Sequence, residues 1–287
     1  MHLSSYEPID YLCVGHVTRD LTPEGPLVGG TVTYSALTAR ALGRRPGIIT
    51  SAEPDFDLKK AFGDIPIVLI PSESTTTFEN TYTPAGRRQF VHGVAETLGP
   101  EAVPPEWREP SIVHLGPVAH ELDPDLIHLF QDSLVGLTPQ GWHRTWGATG
   151  RVTFAPWPAA SDVLPLASAV IVSREDIRDK GTWSLYKRVC RLLVITDGAG
   201  GCVVHHRHQQ RHFPSLEVPE TDPTGVGDIF AASFLVRLRE TDGNAREAAR
   251  FATRIAAPTV TRTGLDSIPT QAEVAAARGC FKLEGNS

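Results

Sequence analysis

The sequence DPTGVGD spans Asp222–Asp228, and the apolar stretch IFAASFL at Ile229–Leu235 follows it directly. Two glycines separated by one residue, at the start of an apolar helix, leave several backbone N–H groups without helical partners. The helix dipole adds partial positive charge at the same end, so a phosphate group fits there. A carboxylate at Asp228 can accept a proton from an attacking hydroxyl beside those N–H groups. The stretch therefore predicts a phosphotransferase centre.

A purely structural explanation of the same residues also exists. Gly225 and Gly227 permit a tight turn, and Asp228 caps the helix that follows. For a bare G-x-G-D sequence this explanation would be favoured. The seven-residue motif is more specific, and its position before a long apolar helix favours the catalytic interpretation.

Short apolar runs recur along the chain, mostly separated by helical patterns. The predicted strands are Ile9–Gly15, Ile65–Ile70, Ser111–Leu115, Ser133–Leu137, Ala169–Val172 and Leu192–Thr196. A hairpin near the sheet edge is predicted at Val203–His206 and Arg211–Pro214. Helices are predicted from Gly29 to Gly43, after the Asp123-Pro124 cap, over Val226–Glu240 and Ala245–Val260, and from Thr270. This alternation predicts an α/β fold with a central, mostly parallel sheet flanked by helices.

One segment departs from this alternation. Residues 76–95 read as a strand, a turn and a strand with apolar and polar residues mixed. Residues 16–28 can supply a second pair of strands. The chain is therefore predicted to form one domain over 1–287 with a small β lid made by about 16–28 and 76–95. A plain surface excursion at 76–95 explains the pattern equally well.

The composition limits the classes of partner. The chain has 287 residues, 41% hydrophobic and 21% charged, and a formal net charge of -6. A negative net charge gives no general attraction to nucleic acids or anionic lipids, so neither is expected as a partner. No apolar run is long enough to span a bilayer, and Met1–Asp10 lacks a secretory pattern. The four cysteines are widely spaced without a C-x-x-C pair, which argues against a zinc site. A cytoplasmic protein is expected.

The motif resembles the D-T-x-G-A-G-D signature of the ribokinase-like, or PfkB, family of carbohydrate kinases. Pro223 and Val226 depart mildly from the commonest form of that signature. The resemblance implies that Asp228 is the general base. It also implies that the backbone amides of Gly225, Val226 and Gly227 form the anion hole, and that ATP and Mg²⁺ are the cofactors.

Other blocks of the sequence resemble the family in the same order, so the resemblance extends over nearly the whole chain. On the substrate side it implies roles for Asp20, Gly29 and Gly30. On the nucleotide side it implies roles for Thr196, Gly198, Gly201, Thr224, Ala257, Thr261 and Gly264. The segment at 76–95 falls where the family keeps its lid.

The sequence also departs from the family pattern. Tyr34 replaces the usual Asn after the glycine pair, which brings bulk and a single hydroxyl to the predicted substrate pocket. Ser173 replaces the Asn of N-x-x-E, and Asp176 matches its acid, with Glu175 as a second candidate for the metal site. Arg87 beside the lid turn can reach substrate, although a solvated surface arginine is the alternative.

The predicted activity is transfer of the ATP γ-phosphoryl group to a hydroxyl of a sugar or sugar-like polyol. A cyclitol such as myo-inositol or a nucleoside stays open as the acceptor. A non-catalytic sensor that binds nucleotide or sugar also stays open, because Ser173 and Tyr34 depart from the family pattern. The predicted partners are ATP and a small polyol-like substrate, and a homodimer is left open.

Overall fold

The computed structural model describes residues 7–83, 86–206 and 209–284. The strands are β1 (Tyr11–Val14), β2 (Thr18–Thr22), β3 (Gly25–Gly29), β4 (Pro46–Ala52), β5 (Ile67–Pro71), β6 (Thr77–Thr83), β7 (Gly86–Gly93), β8 (Ile112–Leu115), β9 (Leu134–Leu137), β10 (Arg144–Thr145), β11 (Thr153–Phe154), β12 (Ala169–Ser173), β13 (Leu192–Thr196), β14 (Cys202–His206) and β15 (Gln209–Phe213). The α-helices are α1 (Thr31–Ala41), α2 (Leu58–Phe62), α3 (Ala160–Val163), α4 (Lys180–Val189), α5 (Val226–Glu240), α6 (Ala245–Thr259) and α7 (Gln271–Glu284). Among the helices of these ranges, none has the length and apolar character needed to cross a membrane.

The central sheet has nine strands in the order β15-β14-β13-β12-β9-β8-β1-β4-β5. Strands β14 and β15 are antiparallel to their neighbours and form the predicted hairpin at one edge. The other strands are paired in parallel. The predicted α/β fold with a mostly parallel sheet is therefore confirmed.

Both faces of this sheet are covered, and strand β1 shows how. Successive side chains of a strand point to opposite faces. Tyr11 and Cys13 pack into a core with α1, α5 and α6, whereas Leu12 and Val14 pack into a second core that contains Trp107. A strand that is buried on both faces reads as a continuous apolar run, which is why the sequence pattern was so clear.

The stretches between β8, β9 and β12 contain little α-helix. The helix predicted after Asp123 is a 3-10 turn over Pro124–Leu129. A second 3-10 turn covers Pro139–His143, and α3 is only four residues long. Prolines are frequent in this part of the chain, and each one removes a backbone donor and disfavours a helix interior. The prediction of a helix at Asp123 was therefore wrong in type, although the cap is present, since the Asp123 carboxylate accepts a hydrogen bond from the Asp125 N–H.

A second, four-stranded sheet in the order β3-β2-β6-β7 stands beside the central one and is called the small sheet here. It is built from the two segments from which the lid was predicted. Phe78 and Val91 of this sheet pack against Val118 and Ala119, which follow β8. The small sheet therefore contacts the carboxyl end of the central sheet. The treatment of 1–287 as one domain stays a prediction.

A buried carboxylate joins the loops that follow β1 and β8. The Glu121 side chain is 1% exposed and accepts hydrogen bonds from the backbone N–H groups of His16, Val118 and Ala119 at 2.6 to 3.1 Å. The His16 ring also bonds to the Thr76 hydroxyl at the start of the small sheet. These contacts tie the two loops to each other and to the start of the small sheet.

We expect Glu121→Gln to lower the free energy of unfolding by about 1–3 kcal/mol, because an amide N–H₂ then faces backbone donors in a buried site. Denaturant unfolding of the variant and the parent measures the difference. Glu106→Gln, at an exposed position, serves as the control and should change little. A loss no larger than that of the control would contradict the structural role of Glu121.

Candidate active site

Helix α5 begins at the carboxyl end of the central sheet. It packs on α1 and α6 and contacts strands β8, β9 and β12. In open α/β sheets, ligands bind in the crevice outside the carboxyl ends of the strands. The motif Asp222–Asp228 therefore lies in the region of the fold where a ligand site is expected.

The turn before α5 depends on close packing at Gly225. This residue has φ 77°, a left-handed conformation that side chains with a Cβ rarely adopt. A Cβ at this position would also overlap the Tyr34 ring. The Asp222 carboxylate accepts a hydrogen bond from the Thr224 N–H at 2.9 Å, and the Asp222 N–H donates to the Val260 carbonyl at 3.0 Å. Glycine is thus required here for both conformation and space.

The three amides predicted to form the anion hole differ in their surroundings. The Val226 N–H donates to the Pro223 carbonyl at 3.3 Å, so it is already engaged. The Ile229 N–H makes a helical bond to the Gly225 carbonyl at 2.9 Å, and the N–H groups before it in the first turn have no such helical acceptor. A Cβ built on Gly227 would meet nothing within 4 Å. Open space therefore adjoins the first turn of α5 at Gly227.

Asp228 carries a carboxylate whose pKa is raised to about 6, chiefly because burial penalises the charged form. A hydrogen bond with the Thr31 side chain and the positive charge of Arg144 act in the opposite direction on this pKa. The negative charges of Asp176 and Asp20 raise it further. A carboxyl group that titrates near neutral pH is suited to exchange a proton with a bound hydroxyl.

The residues predicted to bind substrate meet where the small sheet joins the central one. Gly29 lies against the Asp20 side chain, and a Cβ there would require the Asp20 carboxylate and the Thr18 hydroxyl to move. Gly30 has φ 92° and precedes α1, and a Cβ there would overlap the His16 carbonyl oxygen. The Thr18 hydroxyl donates to the Asp20 carboxylate at 2.9 Å. Asp20 is thus held beside Gly29, next to the start of α1.

Tyr34 and Arg87 were also predicted to contact substrate. Tyr34 is only 3% exposed, and its ring packs against Gly225. Its bulk therefore supports the turn before α5, and a contact with substrate stays a prediction. The side chain of Arg87 lies outside the described part of the structure, so its assignment also stays a prediction.

The loop after β13 has the predicted succession of glycines. Thr196 ends β13, Gly198 has φ 50° and Gly201 has φ 85°. A Cβ at Gly201 would overlap the Phe213 carbonyl oxygen of the neighbouring hairpin. The loop therefore turns tightly at the carboxyl end of β13, where backbone groups are accessible to a ligand.

The C-terminal block predicted for the nucleotide is connected to the motif through α6. Ala257 is buried in α6, and the Thr261 hydroxyl donates to the Pro258 carbonyl at 2.8 Å. Gly264 has φ 53° and lies beside Leu27 of the small sheet. The buried position of Ala257 favours a packing role for its side chain.

The two acids predicted for the metal site are not equivalent. Asp176 accepts a hydrogen bond from the Ser173 N–H at 3.3 Å and acts electrostatically on Asp228, whereas Glu175 is exposed. Across residues 7–83, 86–206 and 209–284, no group of three or more His, Cys, Asp or Glu side chains could hold a metal ion. Mg²⁺ is commonly bound by one or two carboxylates together with substrate phosphates. Asp176 fits such an ion if the donor supplies the other ligands.

Sequence reasoning missed Thr31, Gln140 and Arg144. The Gln140 amide donates to the Thr31 hydroxyl at 3.0 Å, and Arg144 donates to the Gln140 side-chain oxygen at 3.1 Å. Thr31 in turn contacts Asp228. One signal was available, because Gln140 and Arg144 follow strand β9 at the carboxyl edge where ligand sites form.

Comparisons with known proteins agree with this geometry. A sequence profile described as pfkB family carbohydrate kinase matches residues 158–271, which include the Asp222–Asp228 motif. The cytidine kinase of Thermococcus kodakarensis is 26% identical over 245 residues, covering 79% of this chain and 87% of that protein. Fructokinase-1 of Zea mays is 31% identical over 107 residues, which cover 35% of this chain and only 33% of that enzyme.

Solved structures resemble most of the chain. A pyrophosphate-dependent kinase in the ribokinase family, solved with a pyrophosphate analog and myo-inositol, superposes with a TM-score of 0.75 at 21% identity. The superposition covers 93% of this chain and 99% of that one, and it shows a shared fold. Together with the profile match, these similarities confirm the resemblance seen in the sequence. Residues 158–271 match the pfkB family carbohydrate kinase profile, and the chain shares its fold with kinases of the ribokinase family.

Proposed function

We propose that this kinase transfers the γ-phosphoryl group of ATP to a hydroxyl of a sugar or sugar-like polyol. The observation that carries the proposal is the Asp228 carboxyl group, with a pKa of about 6, in the first turn of α5 beside the open space at Gly227. Phosphoryl transfer needs a positioned base and fixed positive dipoles close together, and this turn supplies both.

The proposed mechanism is in-line transfer. Asp228 accepts the proton of the acceptor hydroxyl as that oxygen attacks the γ-phosphorus, and the bond between the γ-phosphorus and the bridging oxygen of ATP breaks so that ADP leaves. The N–H groups at the start of α5, with Gly227 the most open, stabilise the negative charge on the migrating phosphoryl group. Mg²⁺ would neutralise charge on the donor phosphates, and Asp176 would hold it through water. Asp20, close to Gly29 and Gly30, would bind acceptor hydroxyls.

The acceptor is proposed as a class rather than a single compound. The similar proteins are named for cytidine, fructose and myo-inositol, so a nucleoside and a cyclitol remain the alternatives to a simple sugar. One structural relative is named for pyrophosphate, which makes pyrophosphate the alternative donor. A sensor without turnover is the alternative from a different class. We further propose a cytoplasmic location, and the homodimer remains a prediction.

We expect the parent protein to release ADP from ATP and Mg²⁺ in the presence of one member of a pool of sugars, cyclitols and nucleosides. Asp228→Asn should lower that turnover on the order of 10²-fold or more, because the amide cannot accept the hydroxyl proton. Asp132→Asn, at an exposed position, is the matched control and should keep the parent rate. Binding of ligands without turnover would support the sensor function. Turnover with pyrophosphate but not with ATP would show that pyrophosphate is the phosphoryl donor.

The pKa of Asp228 predicts a pH dependence. The carboxylate is the active base, so kcat/KM should be nearly constant above about pH 7 and fall about tenfold per pH unit well below pH 6. A pH–rate profile with a saturating donor measures this limb. If the acidic limb had its midpoint near pH 4 instead, the carboxyl group would titrate like an ordinary exposed one. That result would contradict the buried environment proposed for Asp228.

Gly227→Ala separates catalysis from stability. The added methyl group meets no protein atom and lies in a helix, so the midpoint of thermal unfolding should stay equal or rise. It enters the space proposed for the phosphoryl group, so kcat should fall by at least about tenfold. Gly279→Ala in α7, which also has open space around its Cβ, is the matched control and should keep full activity. Full activity of Gly227→Ala would exclude this space as the phosphoryl site.

A further inference from the structure

The Arg144 guanidinium contacts residues from three separate parts of the chain. Its Nη1 donates to the Val118 carbonyl at 2.8 Å, and its Nη2 donates to the Gln140 side-chain oxygen at 3.1 Å. Its Cζ lies 5.3 Å from the centre of the Phe78 ring. Val118 follows β8, Gln140 follows β9 and Phe78 belongs to the small sheet. The position of this cation thus depends on both sheets.

The segment that carries Arg144 also extends the small sheet. Arg144 begins β10, which pairs with β11 to form a short hairpin. Before β11, the Gly150 carbonyl accepts a hydrogen bond from the Val91 N–H at 2.9 Å, and the Val152 N–H donates to the Gln89 carbonyl at 2.9 Å. Strand β7 therefore has this segment as a neighbour. A displacement of the small sheet would move the hairpin and the Phe78 ring together.

A chain of polar contacts runs from Arg144 to Asp228. Gln140 accepts from Arg144 and donates to the Thr31 hydroxyl at 3.0 Å. The Thr31 side chain is hydrogen bonded to Asp228, and the charge of Arg144 acts directly on that carboxylate. Opposite charges in a partly desolvated site interact more strongly than in water.

We propose that Arg144 is a positioning residue for phosphoryl transfer, which stabilises Asp228 as a carboxylate and is itself placed by Phe78 of the small sheet. The inference rests on the proposed function for its catalytic meaning, because it assumes that Asp228 is the base. It extends that function, because Arg144 stabilises the Asp228 carboxylate only when the small sheet holds Phe78 against the guanidinium. Neither Arg144 nor Gln140 belongs to the sequence motifs that indicated the family.

The charge balance around Asp228 determines the expected effect. The groups whose charges interact with Asp228 are Arg144 on β10, Asp176 after β12, Asp20 on β2, and Tyr11 and Cys13 on β1. Arg144 is the cation of this set, and the two carboxylates oppose it. Removal of its charge should therefore raise the pKa of Asp228, since the carboxylate would keep its negative neighbours and its buried surroundings.

The direct test is the titration of the Asp228 carboxyl carbon by ¹³C NMR, assigned by comparison with Asp228→Asn. Arg144→Met should raise the titration midpoint on the order of one pH unit, and Arg144→Lys, which keeps the charge, should stay closer to the parent. With a shift of one unit, kcat/KM should fall about tenfold at pH 5 and less than twofold at pH 8. Arg144→Gln repeats the test with a polar neutral side chain if the Met variant does not fold.

Controls separate this role from a structural one. Arg40→Met removes a guanidinium that donates to the Phe62 carbonyl and pairs with Asp64, and it should leave the midpoint unchanged. Phe78→Leu should shift the midpoint upward, as the neutral Arg144 variants do. An unchanged midpoint in the folded neutral variants would overturn the proposal. A shifted midpoint in a protein that phosphorylates no acceptor would support the link to Asp228 while refuting the proposed function.

Discussion

The left-handed turn at Gly225, packed against the Tyr34 ring, is the constraint on which the candidate site depends. It determines where α5 begins relative to the carboxyl ends of the parallel strands. Because α5 continues into a core shared with α1 and α6, its first turn cannot shift without disturbing buried side chains. A helix N-terminus is thereby fixed at the crevice, together with its dipole and the carboxylate of Asp228.

The same packing raises the free-energy cost of ionising Asp228. Burial raises the pKa of Asp228, and ionisation of such a group is unfavourable for folding. Because the pKa in the folded protein lies above its unfolded value, this carboxyl group favours folding only while it is protonated, and that contribution is lost as the pH rises to about 6. The Thr31 hydroxyl and Arg144 offset part of the cost. Groups with perturbed pKa values are common at active sites, where a general base must titrate near the working pH.

The sequence predicted those features that depend on local patterns. Buried strands such as β1 and β13 read as continuous apolar runs, and Val226–Glu240 was predicted with the bounds that the structure has. The 3-10 turns at Pro124 and Pro139 were less predictable, because cap residues and apolar spacing do not distinguish them from α-helix. Tyr34 was assigned to substrate from its place after the glycine pair, and the packing of its ring on Gly225, a residue distant in sequence, was not predicted. Arg144 was missed for the same reason, since only the folded chain brings it to Phe78 and Asp228.

In the proposed mechanism, the first turn of α5 binds a migrating phosphoryl group while Asp228 removes a proton from an alcohol. A crystal structure with ADP, a planar metal-fluoride analogue of the phosphoryl group and the acceptor tests it most directly. We expect the fluoride to lie against the Gly227 N–H and the acceptor hydroxyl to lie within about 2.6–3.2 Å of the Asp228 carboxylate. An analogue bound away from α5, or an Asp228 carboxylate turned from the acceptor into a structural contact, would contradict it.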